Sequence, residues 1–175
     1  MPAPDAGRYQ VFGSGLTVIF SNEVDAFPEW WLDNASPGAT DMTVGFQRAM
    51  TSLSSSTGRL LCDGVYAFST TGGAGRITLY NNVDIIGSGV NQTQFRDTHA
   101  GPATGDRQLL HKGTTVLDQV TIEGIYFVGN GIWALAEYTY GIGIFIQRAT
   151  NLTIRNCKFK NWMNASIHVA TTTTT

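Results

Sequence analysis

Four acidic residues in the repeated part of this 175-residue chain could do polysaccharide chemistry: Asp84, Asp118, Glu123 and Glu137. Cleavage of a glycosidic bond by hydrolysis needs two carboxylates flanking one bond, one to protonate and one to activate or attack. Asp84 and Glu123 fall on neighbouring repeat units at non-equivalent positions, each beside an inward isoleucine, and so read as outward residues of a wetted face. His99, His111 and His168 are scattered without metal-ligand spacing, and no tight carboxylate cluster offers the oxygen ligands calcium needs. The Gly72-Gly-Ala-Gly75 run lacks a phosphate loop's lysine and reads as a turn. No catalytic, metal or cofactor site is therefore assigned. The stronger cue is aromatic: Trp133, Tyr138, Tyr140 and Trp162 lie on loops or strand ends, where flat rings beside polar groups suit the apolar faces and hydroxyl edges of sugars. Packing over a wall or a neighbouring subunit explains the same rings equally well.

The elements that would carry these residues repeat. Asn82-Val-Asp-Ile-Ile-Gly87 aligns with Gln119-Val-Thr-Ile-Glu-Gly124 and with Asn151-Leu-Thr-Ile-Arg-Asn156. Val83, Val120 and Leu152 correspond, as do Ile85, Ile122 and Ile154. Phe127 falls over Phe159. Apolar residues at every second position put one face inward. A single unit cannot bury that face, but coils stacked ~4.8 Å apart can. Unequal spacing between units makes this a solenoid with variable loops. The Gly or Asn after each strand suits a corner that needs left-handed backbone angles.

Ahead of the repeats, Phe46, Ala49, Met50 and Leu53 share one face of a short helix, preceded by Asp41 as an acceptor for its first free N–H groups. Leu60, Leu61, Val65, Tyr66 and Phe68 then read as the first buried strands, bent at Asp63-Gly64. This segment, with Gly38, Thr40, Asp41, Thr43, Phe46, Gln47, Gly64 and Tyr66, resembles the entrance to a pectate-lyase-like right-handed parallel β-helix. Met42 and Cys62-Asp63 depart from that pattern. Pro28-Glu-Trp-Trp31 just upstream resembles a segment of phage tailspikes.

The expected fold is thus all-β, a right-handed parallel β-helix with a short N-terminal capping α-helix. Residues 1–37 form an arm, a Tyr9–Phe20 hairpin around Gly13-Ser-Gly15, and an aromatic plug. Residues 38–58 form the cap, and 59–175 the coils of the front part of a longer solenoid. The resemblance implies a tailspike or tail-fibre-like virion protein attaching to host surface polysaccharide. It further implies a homotrimer, phage tail or baseplate partners, and residence in the virion, with secretion as the alternative. Two rivals remain open: a fragment of a polysaccharide lyase or glycoside hydrolase whose active site lies beyond Thr175, and a non-catalytic structural spacer. The fold serves all of these.

Composition bounds the partners. Charged residues are 14% against ~25% in a typical soluble domain, and the net charge of −2 gives no overall footprint for nucleic acid or an anionic membrane. No stretch is apolar and long enough to insert in a bilayer. Cys62 and Cys157 read as free thiols on different coils.

Overall fold

The structure is a computed structural model that describes residues 9–13, 16–69, 77–98, 108–131, 141–162 and 164–170. It is a right-handed parallel β-helix of four coils. Each coil contributes one strand to each of three sheets. The first coil holds β2 (Gly58–Cys62), β3 (Val65–Phe68) and β4 (Ile77–Thr78); the second holds β5 (Val83–Gly87), β6 (Gln94–Asp97) and β7 (Gln108–Lys112). The third holds β8 (Leu117–Glu123), β9 (Tyr126–Val128) and β10 (Ile142–Ile146), and the fourth β11 (Ala149–Arg155), β12 (Lys158–Lys160) and β13 (Ala165–Val169). Sheet A runs β2-β5-β8-β11 behind a leading strand β1 (Val24–Ala26), sheet B β3-β6-β9-β12, and sheet C β4-β7-β10-β13. Every pairing is parallel.

Period-two patterning becomes inward columns. Leu60, Ile85, Ile122 and Ile154 are register partners in sheet A, as the repeat alignment requires. Sheet B stacks Tyr66, Phe95, Phe127 and Phe159. Sheet C stacks Ile77, Leu110, Ile144 and Ile167. The corners are left-handed at Gly124 (φ 70°) and Asn156 (φ 53°). A second left-handed column is formed by Asn82, just before β5, and by Gln119 and Asn151, the third residues of β8 and β11. Cys62 is buried and Cys157 half-buried, and both are free thiols.

The front of the solenoid is closed separately over each sheet. β1 pairs with β2. Asp41 bridges to Ala67 beside β3, and Met42 N–H donates to Ala67 O. Over β4 lies α1 (Thr43–Leu53), whose Gln47 Oε1 accepts from Thr78 N–H at 2.9 Å. A side-chain amide there replaces the missing strand's carbonyl, so the buried edge keeps its hydrogen bond. Asp41 does the helix-opening work one position earlier than a conventional cap. Met42 occupies the cap, and Asp41 Oδ1 accepts from Thr43 N–H and Oγ1–H. The apolar face of α1 sets Phe46 edge-on against Tyr66, Phe68 and Phe95 at 4.9–5.1 Å.

The N-terminal segment differs from its expected form. Among residues 9–13 and 16–20 no strand forms, so the Tyr9–Phe20 hairpin is absent there. Val11 and Phe12 N–H both donate to Trp30 O, and Phe20 N–H to Ser52 O, so this stretch wraps the plug instead of pairing with itself. Trp30 and Trp31 are buried, packed with Phe12, Phe20 and Phe27. They plug the first coil.

Candidate functional site

The outward residues of sheet C form a strip. Thr78, His111, Phe145 and His168 are register partners on successive coils, alternating with the inward Leu110 and Ile144. The His111 and Phe145 rings lie parallel, 3° apart with centroids at 5.7 Å. The His168 ring meets Phe145 edge-on at 5.1 Å. Parallel stacking dictates this, since equivalent outward positions repeat every ~4.8 Å, within reach of ring-on-ring contact. His111 and Phe145 are half-buried and His168 is exposed, so an aromatic strip runs along the outer side of sheet C over three coils.

The strip itself was not singled out in the sequence. Trp133, Tyr138 and Tyr140 belong to the connection from β9 to β10, outside the described residues, as does Glu137. That connection leads directly into the strand bearing Phe145. Trp162 belongs to the connection from β12 to β13, the strand bearing His168. Its indole is half-buried and its Nε1–H donates to Phe127 O at 3.3 Å. It lies over two glycines of the coil below. A Cβ on Gly129 would stand 3.1 Å from Trp162 Cδ2 and 2.3 Å from Asn161 O; one on Gly143 would stand 3.2 Å from Trp162 Cε2. Trp162 thus anchors the corner beside the strip. The signal that could have found the strip was register: Gln108-Leu-Leu-His111, Gly141-Ile-Gly-Ile-Phe-Ile146 and Ser166-Ile-His-Val169 were legible as strands, but unequal connections hid their alignment.

The described carboxylates are engaged elsewhere. Asp84, Asp118 and Glu123 all lie on sheet A. Asp84 Oδ1 accepts from Thr121 N–H at 2.7 Å, standing in for a ladder bond. Asp118 Oδ1 accepts from Thr150 Oγ1 and Asn151 Nδ2, and these bonds hold its carboxyl below the usual range. Arg155 Nη2 reaches Glu123 Oε2 at 2.7 Å and Asn156 Nδ2 donates to Oε1; the Arg155 hydrogen bond leads in holding Glu123 low. Each side chain ties one coil to the next, and the carboxyls of Asp118 and Glu123, held ionised in this way, are not poised as general acids. Farther forward, Arg59 forms a bidentate pair with Asp25 on β1, at 2.6 and 2.7 Å. Among the described residues no three His, Cys, Asp or Glu side chains converge as metal ligands, and no helix is long and apolar enough to cross a membrane.

Near the strip, burial lowers the pKa of Lys112, whose Nζ donates to Leu79 O and lies over the Tyr80 ring. On sheet B, Lys158 lies over Tyr126 with Nζ 4.7 Å from the ring centroid, which occupies that ring's outer side. The strip on sheet C sets an aromatic ring between two imidazoles on successive coils. Compared with known protein families, curated proteins and solved structures, the chain matches none.

Proposed function

We propose that this chain is a tailspike-type virion protein of a phage, whose β-helix attaches to a host surface polysaccharide along the outer face of sheet C. The observation that carries the reading is the in-line strip of His111, Phe145 and His168. A sugar's apolar face stacks on Phe145, while the flanking imidazoles exchange hydrogen bonds with ring hydroxyls. Rings repeated along the solenoid axis suit a polymer, whose successive residues meet successive coils. In this reading Trp133, Tyr138, Tyr140 and Trp162 are further glycan-binding residues. In this reading the protein acts as a homotrimer, with the plugged end towards tail or baseplate proteins.

The test is binding of the chain to purified capsular and O-antigen polysaccharides, followed by Phe145→Ala. The expected result is retention of at least one polysaccharide and an affinity loss of about tenfold on removing the ring, for a stacking contact of 1–3 kcal/mol. Binding unchanged by Phe145→Ala would refute the strip. Absence of binding to any surface polysaccharide would favour a spacer.

A further inference from the structure

The outer face of sheet B carries charge of one sign. Its inward row of Phe95, Phe127 and Phe159 leaves two outward columns, Gln94, Tyr126 and Lys158 in one and Arg96, Val128 and Lys160 in the other. Arg96, Lys158 and Lys160 are exposed. The one carboxylate on the strands of this sheet, Asp97, is buried in register with Phe68. The carboxylates of the other coil strands belong to sheet A, where Glu123 meets Arg155 and, at the front, Asp25 meets Arg59. Arg96, Lys158 and Lys160 form no ion pair among the described residues. Gln94 Oε1 accepts from Arg96 Nε at 3.1 Å and from Nη2 at 2.9 Å, and Lys158 Nζ rests 4.7 Å from the Tyr126 ring centroid. Both cations are thus held by neutral groups of the sheet, with their charge unneutralised, in a chain whose net charge is −2.

Spacing and neighbours say what the matching anion belongs to. Stacking sets the backbones of Arg96 and Lys160, two coils apart, ~10 Å from each other, and those of Lys158 and Lys160, two residues apart on one strand, ~7 Å apart. Three cations spread over such distances do not converge on one small ion, but they meet successive groups of a polyanion. A single-stranded nucleic acid needs open rings on which its bases stack. The one ring on this face, Tyr126, has Lys158 over it. Hydroxyl chemistry is provided next door. At the corner between sheets A and B, Ser88, Asn91, Gln92 and Asn156 help line a cavity of about 430 Å³ that no charged side chain lines. Gln92 and Asn156 stand two residues before Gln94 and Lys158, so the cavity lies where the first outward column begins. Amides and hydroxyls both donate and accept, as sugar hydroxyls require. We infer that the polysaccharide this chain binds is an acidic one, whose carboxylates lie on Arg96, Lys158 and Lys160 across the outer face of sheet B. This rests on the reading of the chain as a polysaccharide-binding protein, but not on the aromatic strip.

The experiment measures binding of the whole chain to alginate, hyaluronate and polysialate, each beside its carboxyl-reduced neutral form, with single-stranded DNA as a non-glycan polyanion. The expected result is binding to at least one acidic polymer, about tenfold weaker for its reduced form, and weakening as salt rises. Lys160→Gln should weaken it several-fold, and Arg96→Gln with Lys158→Gln and Lys160→Gln together by about tenfold or more, while Lys160→Arg retains it. All three side chains are exposed, so circular dichroism should show the variants folded. Binding to none of the acidic polymers, equal binding to an acidic polymer and its reduced form, or binding unchanged in the triple variant would overturn the inference. Tighter binding to DNA than to every acidic glycan would overturn it in favour of a nucleic acid. Phe145→Ala, measured in parallel, separates the two surfaces. Loss only in Phe145→Ala keeps the strip and rejects the sheet B site, loss only in the triple variant does the reverse, and binding to no polysaccharide, acidic or neutral, rejects both.

Discussion

Replacing Phe46 by alanine removes the ring that joins the cap to the core of the solenoid. Phe46 is fully buried and meets three rings edge-on: Tyr66 at 5.0 Å, Phe68 at 4.9 Å and Phe95 at 5.1 Å. Phe95 in turn contacts Phe127, and Phe127 stacks on Phe159, so the same aromatic column runs to the fourth coil. Truncating a buried phenylalanine costs about 3–5 kcal/mol. For a chain of this size a urea m-value near 3 kcal/mol/M turns that into a midpoint shift of about 1–1.7 M. Phe159 is half-buried with one stacked neighbour, so Phe159→Ala should cost about 1–2 kcal/mol, a shift below about 0.7 M. Phe46→Leu keeps most of the apolar area but loses three edge contacts worth about 0.5–1.5 kcal/mol each, and should fall between the two. Urea titration followed by circular dichroism measures all three. A Phe46→Ala shift no larger than that of Phe159→Ala would refute the view that the cap is tied into the column.

Three further outcomes follow from single contacts. Gln47→Ala strips the acceptor from Thr78 N–H and should cost about 1–2 kcal/mol with faster amide exchange at Thr78, whereas Gln47→Glu keeps an acceptor and should cost less; equal exchange in both would show that the contact is idle. Gln119 is held at φ 53°, so Gln119→Asn should stabilise by about 0.5–1 kcal/mol and raise the melting temperature by about 1–4 °C, in line with Asn82 and Asn151 at the equivalent positions; a fall would reject the left-handed column as the reason. Asp118 and Glu123 have folded values below their ordinary 3.8 and 4.5, so their contribution is complete above the unfolded values and is lost as pH falls through the folded ones. Melting temperature should therefore begin to drop below about pH 4.5, and Glu123→Gln should flatten that drop; an unchanged pH profile would show that the Arg155 pair does not tie the coils.

The sequence carried the sheet A coils because each has the same local frame, Asn or Gln just before its paired inward residues and Gly or Asn after them, so that Ile85, Ile122 and Ile154 could be aligned by eye. It carried the cap because Phe46, Ala49, Met50 and Leu53 keep helical spacing, and all four are fully buried. Sheet C was harder. Its strands follow the longest and least equal connections, so His111, Phe145 and His168 share no local frame, and only the stacking of the other two sheets brings them into line. The hairpin misreading has a different cause. Tyr9–Phe20 alternates as a strand would, but the front edge of sheet A is taken by Val24–Ala26, three residues too short to show a period. Polar tasks were also invisible in one dimension. Gln47 and Asp84 each replace a backbone partner, and nothing in the sequence distinguishes such a residue from one facing water.

The two ends of the solenoid hold their edges differently, and this bears on the surface that the strip offers. At the front, a strand, a β-bridge and a side-chain amide close the three sheets in turn. At the rear, β11, β12 and β13 each pair on one side only among the described residues, and inward residues buried in the third coil have half-exposed counterparts in the fourth, Leu152 over Val120 and Phe159 over Phe127. Stability in a stacked array is close to a sum of neighbour terms, so a coil with one neighbour opens more readily than a coil with two. The strip crosses this gradient. His111 and Phe145 sit on coils supported from both sides and present a fixed platform, whereas His168 rides on the coil with a single described neighbour. Trp162 offsets part of that difference, because its ring lies over Gly129 and Gly143 and its Nε1–H holds Phe127 O, pinning the fourth coil to the third at the corner from which the strip's last strand departs.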